Sequence, residues 1–447
     1  MDEFESRCHE ALELARQHAT SRGGVDPVEA FGADHDRFAA AWDDLRCRLD
    51  SLPSLSAPGF AAQMAAPPQP VALLGYFAAM LFNANNHDAR HAAATIAMEH
   101  EVVAQFASML GFPPAARGHL TGGGTLANLD ALWSCRQRRP AGAVALSADA
   151  HFVHRRICRL MGVETVTIAC DSRGRMDLDH LQDALCRQRL GTVVVSAGTP
   201  GLGAVDPIAA VVALRSRYDF GIHVDASYGG FFALLKDDAE APIPAPDFAA
   251  IAACDSVAID PHKHGYQPYG CGCVVFRDSA SESFSQNSPY TDAAPQSGLE
   301  CSRPGAAAAA LWLTLRCLPL ASDEGFGPLL RTCLSAARRL ADRLETGEHL
   351  ALNVPPQLGI VTFFPAAPGL DSAAITSACR RLRDAAADEG ILLSTLRIAT
   401  ARLADRLPAF ASAGGETEIL RAVLMKPEQA EFVSTLHAAL ERLMAKC

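Results

Sequence analysis

From residue 143 onward, short unbroken apolar runs alternate with stretches whose apolar positions recur at helical spacing. The runs are AVALS (143–147), TVTIA (165–169), TVVVSAG (192–198), GIHVDA (221–226), SVAID (256–260) and CVVF (273–276). Runs of this kind are strands buried on both faces, and the helical stretches between them predict a mostly parallel sheet covered on both sides. Ligands of such sheets bind beyond the carboxyl ends of the strands. Upstream, the chain reads as helical to about residue 70, where APPQP (66–70) forms a linker or turn, and a further helix spans about 92–110 and stops at Gly111. Near residue 320 the pattern changes. A helix at about 328–345, the strand-like GIVTFFP (359–365), a helix at about 371–389, then ILLSTL (391–396) and ILRAVLM (419–425) predict a compact α+β unit with its own small sheet. The expected division is therefore 1–75 as an N-terminal helical segment, 76–325 as a large domain and 326–447 as a small C-terminal α+β domain.

Composition narrows the class. With 447 residues, 49% hydrophobic and 20% charged, the chain is globular and large enough for two or three domains. Its net charge of -11 excludes a broad basic footprint for nucleic acid or anionic lipid, so an anionic ligand must be held by local donors. The start, MDEFESRCHEALELARQHA, is acidic with apolar residues at helical spacing rather than basic and then apolar, which predicts a cytoplasmic protein. The most apolar run, Ala306 to Leu315, falls well short of the ~20 residues that span a bilayer. The 14 cysteines are scattered and expected to be reduced; Cys271 and Cys273 alternate with small residues as on a strand, and neither they nor the 15 histidines form a metal-ligand pattern, so no metal is expected.

Four stretches carry chemistry. GHLTGGGTLANLDALW (118–133) is a glycine-rich turn opening a helix: Gly122, Gly123 and Gly124 let backbone amides approach an anion, Thr125 offers a hydroxyl, and the helix presents its positive end, which suits a phosphate monoester. It is neither GxGxxG nor GxxxxGK[ST], so a dinucleotide or nucleoside triphosphate is not indicated. In ALSADAHFVHRRICRLMGV (145–163), His151 follows a strand where an imidazole could stack on a flat cofactor and move protons, while His154, Arg155 and Arg156 read as including solvated positions. HVDASYGG (223–230) and SVAIDPHKHGYQPYGCGCVVF (256–276) end strands with Asp225 and Lys263. A lysine and a carboxylate converging at a sheet edge suggest a pyridoxal phosphate site, the lysine forming the Schiff base and the aspartate holding the pyridine nitrogen protonated.

In this order GHLTGGGTLANLDALW, SADAHFVHRR, SAGTPGLGAVDPI, HVDASYGGFF, DPHKHGYQPYGCGCVVFRD and LECSRPGAAAAALWLTLRCLP resemble the group II pyridoxal phosphate-dependent amino-acid decarboxylases, above all the bacterial tyrosine and archaeal tyrosine/aspartate branch. The resemblance covers roughly residues 83–320. It implies a fold type I (aspartate aminotransferase-like) architecture, with a mostly parallel seven-stranded sheet and a small C-terminal domain, and pyridoxal 5'-phosphate as cofactor. It further implies a homodimer on which segment 1–75 packs, the partner's loop 281–300 completing the site. Residue by residue, it implies Lys263 as the cofactor lysine, Asp225 as partner of the ring nitrogen and His151 stacked on one ring face. Ser227, where the family commonly has alanine, would lie against the other face. Gly124, Thr125 and His262 would hold the phosphate, Thr199 would lie beside the ring, and Tyr290 of the polar 281–300 loop would return the proton. Arg303 and Arg421, which is read as beginning a strand of the small domain, are candidates for holding a carboxylate or positioning the loop. The expected reaction is decarboxylation of an L-amino acid; aromatic and acidic substrates both fit, with tyrosine-like ones favoured. A carbon-carbon lyase or an aldehyde synthase would use the same residues, though Tyr290 speaks against the latter. A catalytically silent binding subunit would be marked by loss of Lys263, Asp225 or the glycine turn, all of which are present.

Overall fold

The structure is a computed structural model that describes residues 2–24, 26, 35–278, 298–366 and 369–446. The described residues form two sheets. The larger contains β1 (Arg117–Thr121), β2 (Ala143–Ser147), β3 (Thr165–Ile168), β4 (Leu190–Ser196), β5 (Gly221–Asp225), β6 (Ser256–Ile259) and β7 (Gly272–Phe276), in the spatial order β1-β7-β6-β5-β4-β2-β3. β7 runs antiparallel to both its neighbours and all other pairings are parallel, so β1 to β6 point the same way. Burial on both faces explains the unbroken apolar runs. Val193, Val195, Ile222, Val224, Val257 and Ile259 join the main core, each worth about 1.5–3 kcal/mol of transfer free energy. On the opposite face the helix Gly124–Arg138 sets Ala127 and Ala131 against Ala258 and Val274. These small side chains bring the helix close to the sheet, with its first turn at the carboxyl edge.

The second sheet contains β8 (Leu350–Leu352), β9 (Ile360–Pro365), β10 (Ser394–Ala399) and β11 (Glu416–Val423), ordered β10-β11-β9-β8 and antiparallel throughout. Leu340 and Leu344 of helix Phe326–Glu345, Leu382 of Ser372–Asp388 and Leu436 of Gln429–Met444 pack with Phe363 and Leu420 in its core.

Several boundaries differ from the sequence reading. β1 was expected only as part of the glycine turn, because RGHLT has no apolar run; it forms by pairing with β7 from Arg117↔Phe276 to Thr121↔Gly272. The last strand starts earlier than ILRAVLM, since polar Glu416–Glu418 pair with Arg397–Ala399, so Arg421 lies in its second half instead of beginning it. In ILLSTL the ladder begins only at Ser394, as Leu392 is drawn into an isolated pairing with Phe60. Helix His35–Asp50 buries none of its residues, and Phe38, Trp42, Leu45 and Leu49 are 40%, 56%, 45% and 56% exposed. Among the described residues no helix is long and apolar enough to cross a membrane.

Candidate active site

The carboxyl ends of β1, β2, β4, β5 and β6 deliver, in turn, Gly122–Thr125, His151, Gly198 and Pro200, Asp225 and Ser227, and Asp260–Lys263. All border one cavity of about 470 Å³, except Pro261, and Met64, Leu126, Asn128, Val153 and Tyr228 complete the wall. Residues up to 141 positions apart in sequence meet there because parallel strands end on the same edge of the sheet.

The glycine turn is shaped for an anion. Gly123 adopts φ +145°, which side-chain-bearing residues rarely tolerate, and a Cβ on Gly124 would stand 2.7 Å from Asp260 Oδ2 and 2.8 Å from Ser227 Oγ. The helix that begins at Gly124 has no side-chain cap, so its first amides open onto the cavity. Asn128 braces the turn by donating to the Gly124 carbonyl at 2.7 Å. Beside it, Asp260 Oδ1 and His262 Nδ1 are buried without a hydrogen-bond partner. His262 Nε2 lies 3.5 Å from Asp260 Oδ2, and burial lowers the His262 pKa. A space only glycines leave open, a bare helix start and the unpartnered His262 Nδ1, which can donate, together fit a phosphate monoester.

Across the cavity, Asp225 is buried and fully engaged on one side. The Ser227 hydroxyl and amide donate to Oδ1 at 2.6 and 3.1 Å, and His154 Nε2 lies 2.8 Å from Oδ2. Burial by itself would raise this carboxyl; the hydrogen bonds from His154 and the Ser227 hydroxyl and the nearby Lys263 ammonium outweigh it and hold Asp225 well below the usual carboxylate range. Ser227 is thus turned to Asp225, not to the lysine. His154, grouped in the sequence with solvated neighbours, is wholly buried. Its position in the first turn of Val153–Met161, four residues ahead of buried Cys158 and three ahead of buried Ile157, is the helical-spacing signal that would have turned it inward.

Lys263 Nζ contacts Asp260 Oδ2 at 2.9 Å, with the lysine side chain 17% exposed toward the cavity. His151 lines the cavity, accepts from the Val153 amide through Nδ1 at 3.1 Å, and has its pKa lowered by burial against the opposing pull of Asp225. Burial thus favours the neutral form of the ring. Behind the site, His223 bridges Ser256 Oγ at 2.9 Å and Asn128 Oδ1 at 2.7 Å, and His264 packs edge-on against Tyr228 and Phe232 with both ring nitrogens lacking partners. Burial pushes both histidines down to about 3.

This has a sign for stability. In the unfolded chain these rings titrate near the ordinary ~6.5, so below that pH the unfolded state binds protons that the folded state refuses. Their contribution is complete above about pH 6.5 and is lost as pH falls toward 3. Denaturant midpoints of the cofactor-free protein should drop between pH 6.5 and 5, each histidine adding up to about 1.4 kcal/mol per pH unit. His264→Phe should flatten that slope by one proton; an unaltered slope would count against the assignment.

The remaining candidates fall elsewhere. Thr199 is buried behind the wall, its hydroxyl accepting from the Ala204 amide at 3.1 Å. Arg303 does not reach the cavity: its guanidinium is spent on buried Glu99 and on the Leu120 carbonyl at 2.8 Å. Arg421 donates to the carbonyls of Gly201 and Ala62 and to Ser394 Oγ, at 3.1, 3.3 and 3.0 Å, which clamps the second sheet to the segments carrying Pro200 and Met64. Tyr290 and most of loop 281–300 lie outside the described residues. Among the described residues no group of three or more His, Cys, Asp or Glu side chains is placed to hold a metal ion.

Comparison with known proteins gives this geometry a context. The pyridoxal-dependent decarboxylase conserved domain matches residues 32–365. A probable L-tyrosine/L-aspartate decarboxylase of Methanothermobacter thermautotrophicus is 32% identical over 271 residues, 60% of this chain and 72% of the relative. An L-2,4-diaminobutyrate decarboxylase of Rhizobium meliloti is 29% identical over 371 residues, covering 76% and 72%. Among solved structures, Oryza sativa TDC with PLP and tryptamine superposes with a TM-score of 0.80 at 19% identity, over 99% of this chain and 97% of that one, which establishes the fold type I architecture.

Proposed function

The chain belongs to the pyridoxal-dependent decarboxylase family, and from that premise we propose that this pyridoxal phosphate-dependent enzyme decarboxylates an L-amino acid with an aromatic side chain, tyrosine-like in shape, to the amine and carbon dioxide. When bound, pyridoxal phosphate supplies an electron sink for the pair left behind by the departing carboxylate. The residues fit it. Gly124, Thr125 and His262 would hold the phosphate, His151 would face the ring, Asp225 would accept from the ring nitrogen, and Lys263 would hold the cofactor covalently until substrate takes its place, while the Gly122 amide is engaged by Glu300 at 2.7 Å. Lys263 is then free to carry a proton, with Asp260 Oδ2 at 2.9 Å as its resting partner.

The observation that carries the substrate class is the cavity wall. Met64, Leu126, Val153, Pro200 and Tyr228 give it an apolar side, and among its described residues there is no arginine and no lysine other than Lys263. A second carboxylate, as in aspartate or glutamate, would be buried there without a paired cation, which costs several kcal/mol. The same lack of a guanidinium leaves the α-carboxylate poorly solvated, and its loss as carbon dioxide relieves that cost. Tyr290, supported by the resemblance alone, or His151 returns the proton to Cα. The acidic reading rests on Arg421, whose partners Ala62 and Gly201 adjoin the wall residues. A panel of L-tyrosine, L-phenylalanine, L-tryptophan, L-aspartate, L-glutamate, L-cysteine sulfinate and L-2,4-diaminobutyrate decides. Carbon dioxide and amine from the aromatic acids at kcat/KM at least about tenfold above the acidic ones is expected; preference for an acidic or cationic substrate, or aldehyde with peroxide as the product, overturns the proposal.

A homodimer forms part of this reading. The exposed stripe Phe38, Trp42, Leu45 and Leu49, spaced 4-3-4 along one face of its helix, is a surface that a second copy would cover. Sedimentation should give twice the 47.3 kDa chain mass, reduced to one by Trp42→Glu with Leu49→Glu; a monomeric wild type removes this part.

A further inference from the structure

We infer that His154 is a positioning residue for the cofactor's ring nitrogen: by donating from Nε2 to Asp225 Oδ2 it leaves that carboxylate a single acceptor site, aimed at the cavity. The inference rests on the proposed role of Asp225 toward the ring, and it concerns a residue that touches neither cofactor nor substrate.

The argument is a count of hydrogen bonds. An ionised carboxylate has about four lone-pair sites. Two on Oδ1 are filled by the amide and hydroxyl of Ser227, and one on Oδ2 faces His154 Nε2 at 2.8 Å. One remains, and Asp225 borders the cavity. A ring N–H is a single donor and fills it.

The same count fixes the tautomer of His154. Its ring is wholly buried and Nδ1 has no partner. With the proton on Nε2, the atom left unpaired is an acceptor. With the proton on Nδ1, a donor would be stranded and a lone pair would face an anion at hydrogen-bond distance, a cost of about 1–3 kcal/mol or more. The arrangement is thus preset before any ligand arrives. The charged and titratable groups around Asp225 are few. His151 and His154 come from the segment after β2, Lys263 and Asp260 from the segment after β6, and His223 from β5 itself. His223 is committed to Asn128 and Ser256, and the Lys263 ammonium contacts Asp260, not Asp225. His154 is the donor to Asp225 that stays in place through the reaction, alongside neutral Ser227.

Two measurements test this without relying on turnover. In the wild-type protein, long-range proton–nitrogen correlation of the histidine rings should give His154, assigned through its contact with the His223 ring, as the Nε2–H tautomer with and without cofactor. An Nδ1–H tautomer overturns the inference. With 15N-labelled pyridoxal phosphate, the ring nitrogen should remain protonated from pH 6 to 9 in the wild type. In His154→Leu its deprotonation midpoint should move down by about one pH unit or more, a tenfold loss of proton affinity, and His154→Gln, whose amide can donate, should recover most of the shift. A ring nitrogen that titrates in His154→Leu as in the wild type sinks the inference. If the wild type never acquires the visible absorbance of lysine-bound cofactor, the underlying reading of the site fails instead, and the two failures are told apart by that spectrum.

Discussion

Lys263→Ala should lose the visible absorbance of bound cofactor and release carbon dioxide roughly 10^4-fold more slowly than the wild type, the upper end of what a positioned acid–base residue contributes. The size of the effect follows from the two tasks that meet at one nitrogen. In the proposed reading Nζ would bond the cofactor covalently and, once displaced, would carry the proton that lets the amine leave. Its neighbour Asp260, 2.9 Å away, is 4% exposed in its side chain, so the alanine variant also leaves a buried carboxylate facing only His262 at 3.5 Å. Lys263→Arg separates the tasks. It restores a cation beside Asp260 but forms no stable bond to the cofactor, so it should recover fold stability and neither absorbance nor rate. Retention of the absorbance in either variant would remove Lys263 from its assigned place.

Asp225→Asn should leave the absorbance in place while lowering kcat by about 10^3-fold, comparable to removing a preorganised electrostatic contact at a reacting centre. The asparagine keeps the shape, and its carbonyl can still accept from either His154 or Ser227. Its amide, however, turns donors toward a ring nitrogen that needs an acceptor, so the nitrogen loses its proton and the ring its pull on electrons. The rate falls in kcat rather than in KM because the interaction matters most when charge moves into the ring. Asp225→Ala goes further and strands the His154 donor in the core, costing about 1–3 kcal/mol of stability. An Asp225→Asn enzyme with more than a tenth of the wild-type kcat would refute the role.

The alternation of apolar runs and helical stretches made the parallel sheet readable, because a strand buried on both faces has no polar positions to blur the pattern. The same logic fails for β1 and β8. RGHLT and LAL carry too little apolar sequence to stand out, and each forms because a neighbouring strand, β7 or β9, offers a ladder. At the site, the glycine turn, His151, Asp225, Ser227, His262 and Lys263 come together around one cavity. Motif order reached that far since each lies just past a strand end. His154, Asn128 and His223 were missed for a common physical reason. They serve through partners far along the chain, such as His154 with Asp225 over 71 positions and Asn128 with His223 over 95, and nothing local distinguishes a polar side chain that will be satisfied at such a distance from one that will meet water. The arginines show the reverse relation between sequence and surroundings. Arg303 and Arg421 look like ligands for a substrate carboxylate, yet buried Glu99 and a set of backbone carbonyls claim them.

Asn128 joins the two ends of the cavity. One side of its amide holds the Gly124 carbonyl and the other holds His223, two residues before Asp225 on the same strand. The anion-binding turn and the carboxylate are therefore set a fixed distance apart, as the jaws of a caliper are. A molecule with a phosphate at one end and a ring nitrogen at the other meets both anchors at the loss of one set of translational and rotational freedoms, whereas phosphate and a pyridine offered separately would each surrender their own. The protein thus discriminates by span, and selects for a cofactor whose length matches before any of its chemistry is called upon.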